Sequence, residues 1–369
     1  MLIFRRVVSI LLFILIAIPL LIAPVYRFPP PQRFAGDGLW NPYAHLAGTW
    51  QKANLHAHGV AWGGVTNGAQ SDADVVRAYK QRGYAVAGVS NYASIAAFRG
   101  VDTIPLYEHG YNIPKIHQLG IGARHVVWLD FPLWQTVDQK QFIIDRVGSE
   151  AELVSINHPN TGYVDDDMRK LTGYQLIEVV NGPFPVEDLW DAALSSGHVV
   201  WALANDDAHD VTNLKRTFIA WNMIDSPSAS APDIISALRE GRTYGVSLVG
   251  SKPDASLKSV EVRDAAVTVS SSGVPATYLF VGQDGAIRGT ANQVMEATYT
   301  FAATDTYIRT VIRTPNVVMY INPVLRYDGT RLPAPSATVD TTSTWLHRVI
   351  ILIISAAIVF LLWRRRVAP

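Results

Sequence analysis

The sequence predicts an α/β fold followed by a small antiparallel β module, with an apolar helix at each end. Three observations carry this. From Lys52 to Tyr244 short apolar runs end in polar residues, and helical stretches lie between several of them. From Ser256 to Tyr327 the texture changes to period-2 alternation. At each end lies an apolar run of about the 20 residues that a bilayer helix needs.

The first run, VVSILLFILIAIPLLIAPVY (Val7 to Tyr26), follows Arg5 and Arg6. It exceeds a usual signal-peptide core and no A-x-A-like site follows, so it is expected to be a retained anchor. The last, WLHRVIILIISAAIVFLLW (Trp345 to Trp363), has Trp at both borders and is followed by Arg364, Arg365 and Arg366. Arginines on the terminal side of both runs predict two spans, both termini cytoplasmic and the intervening region outside the cell membrane. FPPPQR (Phe28 to Arg33) and LPAPSATVDTTST (Leu332 to Thr344) read as spacers beside them.

Between the ends, seven segments look like buried strands with their chemistry at the C-terminal end: KANLHAH (52–58), YAVAGVSNY (84–92), DTIPLYEHG (102–110), HVVWLDF (125–131), ELVSINHP (152–159), YQLIEVVNG (174–182) and VVWALANDDAH (199–209). Among the intervening helices, SDADVVRAYKQRG has a Ser71 cap and a Gly83 stop, QKQFIIDRVG is amphipathic, and VEDLWDAALSSG and PDIISALREG end at glycine. Alternating strand and helix implies a parallel sheet, open or closed, whose strand ends share one rim. KSVEVRD, AVTVSSS, ATYLFVGQDGAIRG, ATYTFAA, TYIRTVIRT and VVMYINPVLRY then supply the β module.

Composition narrows the chemistry. With Lys+Arg 31 against Asp+Glu 31 the 369-residue chain has no net charge, so nucleic acid is not an expected partner. It has no cysteine, so a metal site must be built from His, Asp and Glu. His56 and His58, at i and i+2 of a strand, point to one face. Glu108, His117 in KIHQLGIG, His158 in INHP, and Asp207 with His209 in NDDAH fall on the same predicted rim. The Trp and Tyr residues of this region are read as core packing.

The order LHAH, an E after IPLY, HQLGIG, NHP, EVVNG and a final D-A-H resembles the PHP (polymerase and histidinol phosphatase) superfamily of metal-dependent phosphoesterases. The GYN, WLDFP, LW-DAAL-SSG and REGRTY texture and the β module ending MYINPVLRY look like its carbaryl hydrolase-like branch. The resemblance implies a distorted seven-stranded (β/α) barrel. It also implies a first metal held by His56, His58, Glu108 and Asp207, and a second held by Glu108, His117 and His158. The expected organisation is an anchor over 1–26, a linker over 27–51, the PHP-like domain over 52–250, a β-sandwich-like module over 251–331, a linker over 332–344, and a C-terminal transmembrane helix with basic tail over 345–369.

Where the family ends its second strand in Thr-Asp-His, this chain has Ser90, Asn91 and Tyr92, and Gly64 stands six residues after His58. Both departures remove third-metal histidines, so two divalent ions are expected, with Zn, Mn or Fe suited to these donors. Two metals about 3.5–4 Å apart generate hydroxide and stabilise a phosphoryl displacement. His209, released from a third metal, is the expected leaving-group acid with Tyr92 beside it, and Glu178 and Asp206 are expected to orient imidazoles. Lys115, Arg124, Arg216 and Arg242 are candidates to meet substrate anions, though surface or ion-pair roles suit each. The expected substrate is a small-molecule or lipid-like phosphate or ester. A carboxyl ester, carbamate or amide hydrolase with the same centre is the neighbouring alternative, and a decayed binding protein the more distant one.

Overall fold

The computed structural model describes residues 2–96 and 103–364. Asp102, at the start of one expected strand, and Arg365 and Arg366 of the basic tail lie outside them. Two large sheets dominate. The first runs in the order Leu106–His109, Gln118–Ile121, Leu153–Ile156, Leu176–Asn181 and Trp201–Asn205, antiparallel at the first two junctions and parallel at the last two. Every residue of these strands is buried, with the apolar faces of helices Val137–Glu150 and Glu187–Ser195 in the same core. Sequence-legible caps start several helices: Ser71 accepts from the Asp74 amide, and Thr136 and Gln139 form a capping box.

The second sheet corrects the expected architecture. Trp50–Asn54 pairs in parallel with Val86–Ala87 on one side and antiparallel with Ala220–Asp225 on the other. From there the ladder continues through Thr243–Leu248, Val317–Tyr327, Tyr307–Arg313, Ala276–Val281 and Ile287–Val294. Strands expected in the barrel and strands expected in the β module therefore share one sheet. Ala255–Arg263, Ala266–Gly273 and Glu296–Thr300 form a further antiparallel sheet. The arrangement is a mixed α/β fold of several sheets.

Among the described residues the two large sheets meet at isolated bridges, Ala57 with Ala208 and Tyr92 with Glu108, and no continuous barrel ladder closes. The reason is local. Beyond Asn54 alternate backbone donors turn to side chains, Leu55 N–H to Asn205 Oδ1 (2.9 Å), Ala57 N–H to Ser90 Oγ (3.2 Å) and Gly59 N–H to Asn91 Oδ1 (2.8 Å), while His58 N–H still reaches the Ala208 carbonyl (2.7 Å). The HVVWLDF run is likewise no strand. Val127 N–H donates to the Tyr107 hydroxyl, and the Asp130 carboxylate accepts from the Tyr111 amide and the Asn112 and Gln135 side chains.

The ends also depart from expectation. Among the described residues one helix, Thr341–Leu361, is long and apolar enough to cross a membrane, with mean hydropathy 2.1 and little of it buried. This overturns the two-span arrangement and the cytoplasmic placement of both termini that depended on it. Helix Leu2–Ile22 contains Pro19 and packs beside Thr341–Arg364, so apolarity read as lipid-facing is partly used between helices. His347 Nε2 donates to the Leu20 carbonyl (3.1 Å) and Arg348 Nε to that of Leu21 (3.0 Å). The stretches read as spacers lie against the domain: the Gln32 amide donates to the Ser196 carbonyl (3.1 Å) and the Ala337 amide to Thr172 Oγ1 (2.9 Å), while Thr338–Val339 pairs with Tyr26–Arg27.

Candidate metal centre

The rim where the sheets meet gathers all seven candidate ligands. Glu108, in the strand Leu106–His109, lies at the middle. Its Oε1 is 3.2 Å from His56 Nε2, 3.1 Å from His117 Nδ1 and 3.1 Å from His158 Nε2, while Oε2 is 3.2 Å from His58 Nε2. Asp207 Oδ1 lies 3.1 Å from His56 Nε2, 3.2 Å from His58 Nε2 and 3.3 Å from His209 Nε2. The ligand atoms fall into overlapping groups: His56, His58 and Glu108; Glu108, His117 and His158; His56, His158 and Asp207; and His58, Asp207 and His209. By contrast, His109 bonds Gln118 and the Leu129 carbonyl, and exposed His125 pairs with Glu150.

Several of these atoms face one another without forming a hydrogen bond. His56 Nε2, both ring nitrogens of His58, Glu108 Oε2, Asp207 Oδ1 and His209 Nδ1 are buried without a hydrogen-bond partner among the described residues. Buried polar atoms are rarely left in this state, and a set of N and O donors aimed at common points fits divalent cations. The electrostatics agree. Burial opposes charge on His56, yet Asp207, Glu178 and Glu108 outweigh it and hold the imidazole pKa well above its ordinary value. His58 and His158 are raised in the same way. Burial would push Glu108 and Asp207 up, but their histidine neighbours hold both well below the usual carboxylate range. Protons here occupy a negative niche that a cation can take.

The neighbours orient the imidazoles. His56 Nδ1 lies 2.8 Å from Glu178 Oε1, which places a proton on Nδ1 and leaves the Nε2 lone pair for the centre. His158 Nδ1 similarly meets Thr161 Oγ1 at 3.0 Å, and Thr161 donates onward to the Lys115 carbonyl. Glu178 is fixed by Asn205 (3.0 Å), Asn181 (3.0 Å) and the His158 amide (2.8 Å). Asn157 Nδ2 adds a donor to Glu108 Oε1 at 3.2 Å. Sequence reasoning left Asn181 and Asn205 without a role; their polarity at strand ends was the available signal. Replacing Glu178 with Gln is expected to weaken metal affinity by about 10–100-fold with the fold intact, as read by metal titration and thermal melting.

Asp206 corrects its expected role: its carboxylate accepts from Tyr79 and the amides of Phe218, Ile219 and Ala220, not from an imidazole. Burial raises its pKa to about 6 against those donors. Its amide donates to Asn54 Oδ1, so it fixes the backbone beside Asp207, which is itself left-handed at φ 50°. His58 is sandwiched between Tyr92 (4.6 Å, 20°) and His209 (4.4 Å, 4°). Burial, then Glu108 and Asp207, raise the Tyr92 pKa, so its phenol stays protonated. Of the four candidate anion-binding cations, Arg124 bonds the Ser149 carbonyl, Arg242 pairs with Glu240 and Arg216 lies over Phe184. Exposed Lys115 stands in the loop leading to His117.

No family model and no curated protein matches the chain. Among solved structures, it is similar to a two-domain protein from Bacteroides vulgatus containing a predicted PHP-like metal-dependent phosphoesterase. The identity is 14% over 84% of this chain and 99% of that one, with a TM-score of 0.42.

Proposed function

We propose that the chain is a metal-dependent hydrolase of PHP type acting on phosphoesters, with two divalent ions sharing Glu108. One observation carries the proposal: Glu108 belongs to two separate ligand groups, with His56 and His58 on one side and with His117 and His158 on the other. A single carboxylate reached by both imidazole sets, with His56, His117 and His158 at Oε1 and His58 at Oε2, is the shared ligand a paired site needs. The donors are imidazole and carboxylate only, which suits Zn, Mn or Fe. The narrower carbaryl hydrolase-like assignment rests on motif texture alone.

Two bound divalent ions would polarise the phosphoryl group, activate a water molecule and neutralise developing charge. The chain's own residues supply the rest. Glu178 and Thr161 hold His56 and His158 with Nε2 facing inward. His209, less buried than the other ligands, stands at the open side of the cluster with its ring flat against His58. There it can deliver a proton to the leaving oxygen while the neutral Tyr92 phenol, on the opposite face of His58, excludes water. Helix Thr341–Leu361 is read as a single membrane attachment, supported by its apolar, exposed surface.

Turnover of phosphomonoesters, phosphodiesters and carboxyl esters by the metal-loaded chain tests this proposal. Phosphoester hydrolysis is expected, and activity on carbonyl substrates alone would overturn it. His209→Ala is expected to lower kcat by about 10²–10⁴-fold and to remove the alkaline limb of the pH–rate profile while metal content is largely kept. An unchanged profile with full metal would remove His209 from the acid role.

A further inference from the structure

Exposed aromatic residues beside the metal centre are linked by hydrogen bonds to the segment that leads to the base of the apolar helix. Trp62 (50% exposed), Trp128 (59%), Tyr111 (56%) and Ile113 (74%) lie in open solvent, with Leu133 and Trp134 also exposed. These residues correct the expectation that the aromatics are core. Their connection to the centre is direct: Trp62 Nε1 donates to the Tyr92 carbonyl at 2.8 Å, and Tyr92 stacks on His58. The Trp62 ring meets Trp128 edge to face at 5.3 Å, and the Tyr111 hydroxyl donates to the Trp128 carbonyl at 3.0 Å.

The surface continues toward the helices. The Ile113 amide donates to the Pro132 carbonyl at 2.8 Å, while the Tyr111 amide and Gln135 side chain both donate to Asp130. Directly after Gln135, Thr136 caps helix Val137–Glu150, whose Gln139 side chain donates to the Pro19 carbonyl at 3.0 Å. The next carbonyls along, of Leu20 and Leu21, are those bound by His347 and Arg348 of the apolar helix. Trp134 therefore lies two residues before a cap tied to the point where that helix leaves the domain.

Trp and Tyr have an apolar body and a polar handle, and collect where a membrane meets water. Contiguous exposed apolar surface of this kind on a folded domain marks a docking site. Lys115, exposed in the same loop as Tyr111 and Ile113, adds a cation suited to anionic head groups. We propose that this rim docks on a lipid surface, so that the metal centre opens at the membrane and receives amphiphilic substrates from it. The docking rests on the single-helix attachment above, and the delivery of substrate rests on the hydrolase reading.

The test uses the full chain reconstituted in phosphatidylcholine vesicles, with and without lipids brominated in the upper acyl chain. The parent is compared with the triple variant Trp62→Phe, Trp128→Phe, Trp134→Phe, and with Trp128→Phe alone should the triple variant fold poorly. The chain has 10 tryptophans, so the sign of the change is diagnostic. Rim indoles in contact with lipid are quenched, and their removal lowers the quenched fraction of the remaining emission. An equal or larger quenched fraction means the rim is in water or covered by a second copy, and overturns the proposal. A chain that does not float with vesicles overturns it together with the attachment. The readout needs neither metal nor turnover: the expected fall in a chain that binds no metal would uphold the docking and overturn the hydrolase reading together with the substrate delivery.

Discussion

Glu108→Gln is expected to empty both halves of the centre and to lower turnover by more than the ~100-fold typical of losing an outer partner of a metal ligand. The substitution keeps the shape of a fully buried side chain and removes its charge. Four histidines approach the two carboxylate oxygens, His56, His117 and His158 at Oε1 and His58 at Oε2. An amide offers one oxygen and a donor that repels a cation, so no single rotamer can serve both groups. In the parent the carboxylate is held ionised by His56, His117 and His158 despite burial, and this charge is what the variant lacks. Elemental analysis and phosphatase assays of the folded variant check this. Retention of two metals with near-parental turnover would show that Glu108 is not shared between them.

The second large effect is on stability. In the metal-free chain the raised histidines contribute stability that is fully present below an unfolded pKa of about 6.5 and is lost as pH rises through their higher folded values. The depressed carboxylates contribute stability present above unfolded values of about 4 and lost as pH falls through their lower folded values. The ligand cluster thus stabilises the metal-free fold most between about pH 4 and 6.5 and weakens above it. A cation that replaces the imidazole protons reverses that trend. Added Zn or Mn is therefore expected to raise Tm more at pH 8 than at pH 6, by an amount set by free metal over Kd, about 2.7 kcal/mol at a hundredfold excess. Melting curves with and without metal at the two pH values decide this; an equal rise at both would mean that metal does not displace protons at this cluster.

The parts of this site legible in the sequence are those set by local geometry. His56 and His58 lie past the end of the strand Trp50–Asn54, flanking Ala57 and its bridge to Ala208, and the i, i+2 spacing still brings both to Glu108; Glu108, His158 and Asp207 end segments whose apolar runs mark buried backbone. What was not legible depends on partners far along the chain. Asn205 is 27 residues from Glu178 and 150 from Leu55, yet it holds the carboxylate of one and takes the amide of the other. That diversion of Leu55, with those at Ala57 and Gly59, interrupts the ladder a closed barrel would need. HVVWLDF has the composition of a strand, but Asp130 and the Tyr107 hydroxyl capture its neighbourhood's hydrogen bonds. Leu2–Ile22 has the composition of a span, and its pairing with the C-terminal helix is invisible to a hydropathy window. Trp62 and Trp128 show the same limit from the other side, since apolar identity does not say which face a loop presents.

The most direct test of a paired metal centre is the metal content of the full chain, purified without chelator or metal-affinity tag, beside a His56→Ala, His58→Ala double variant. About two divalent ions per parent chain, and clearly fewer in a folded double variant, is the expected result. A well-folded parent that arrives empty and refuses added Zn or Mn would contradict it.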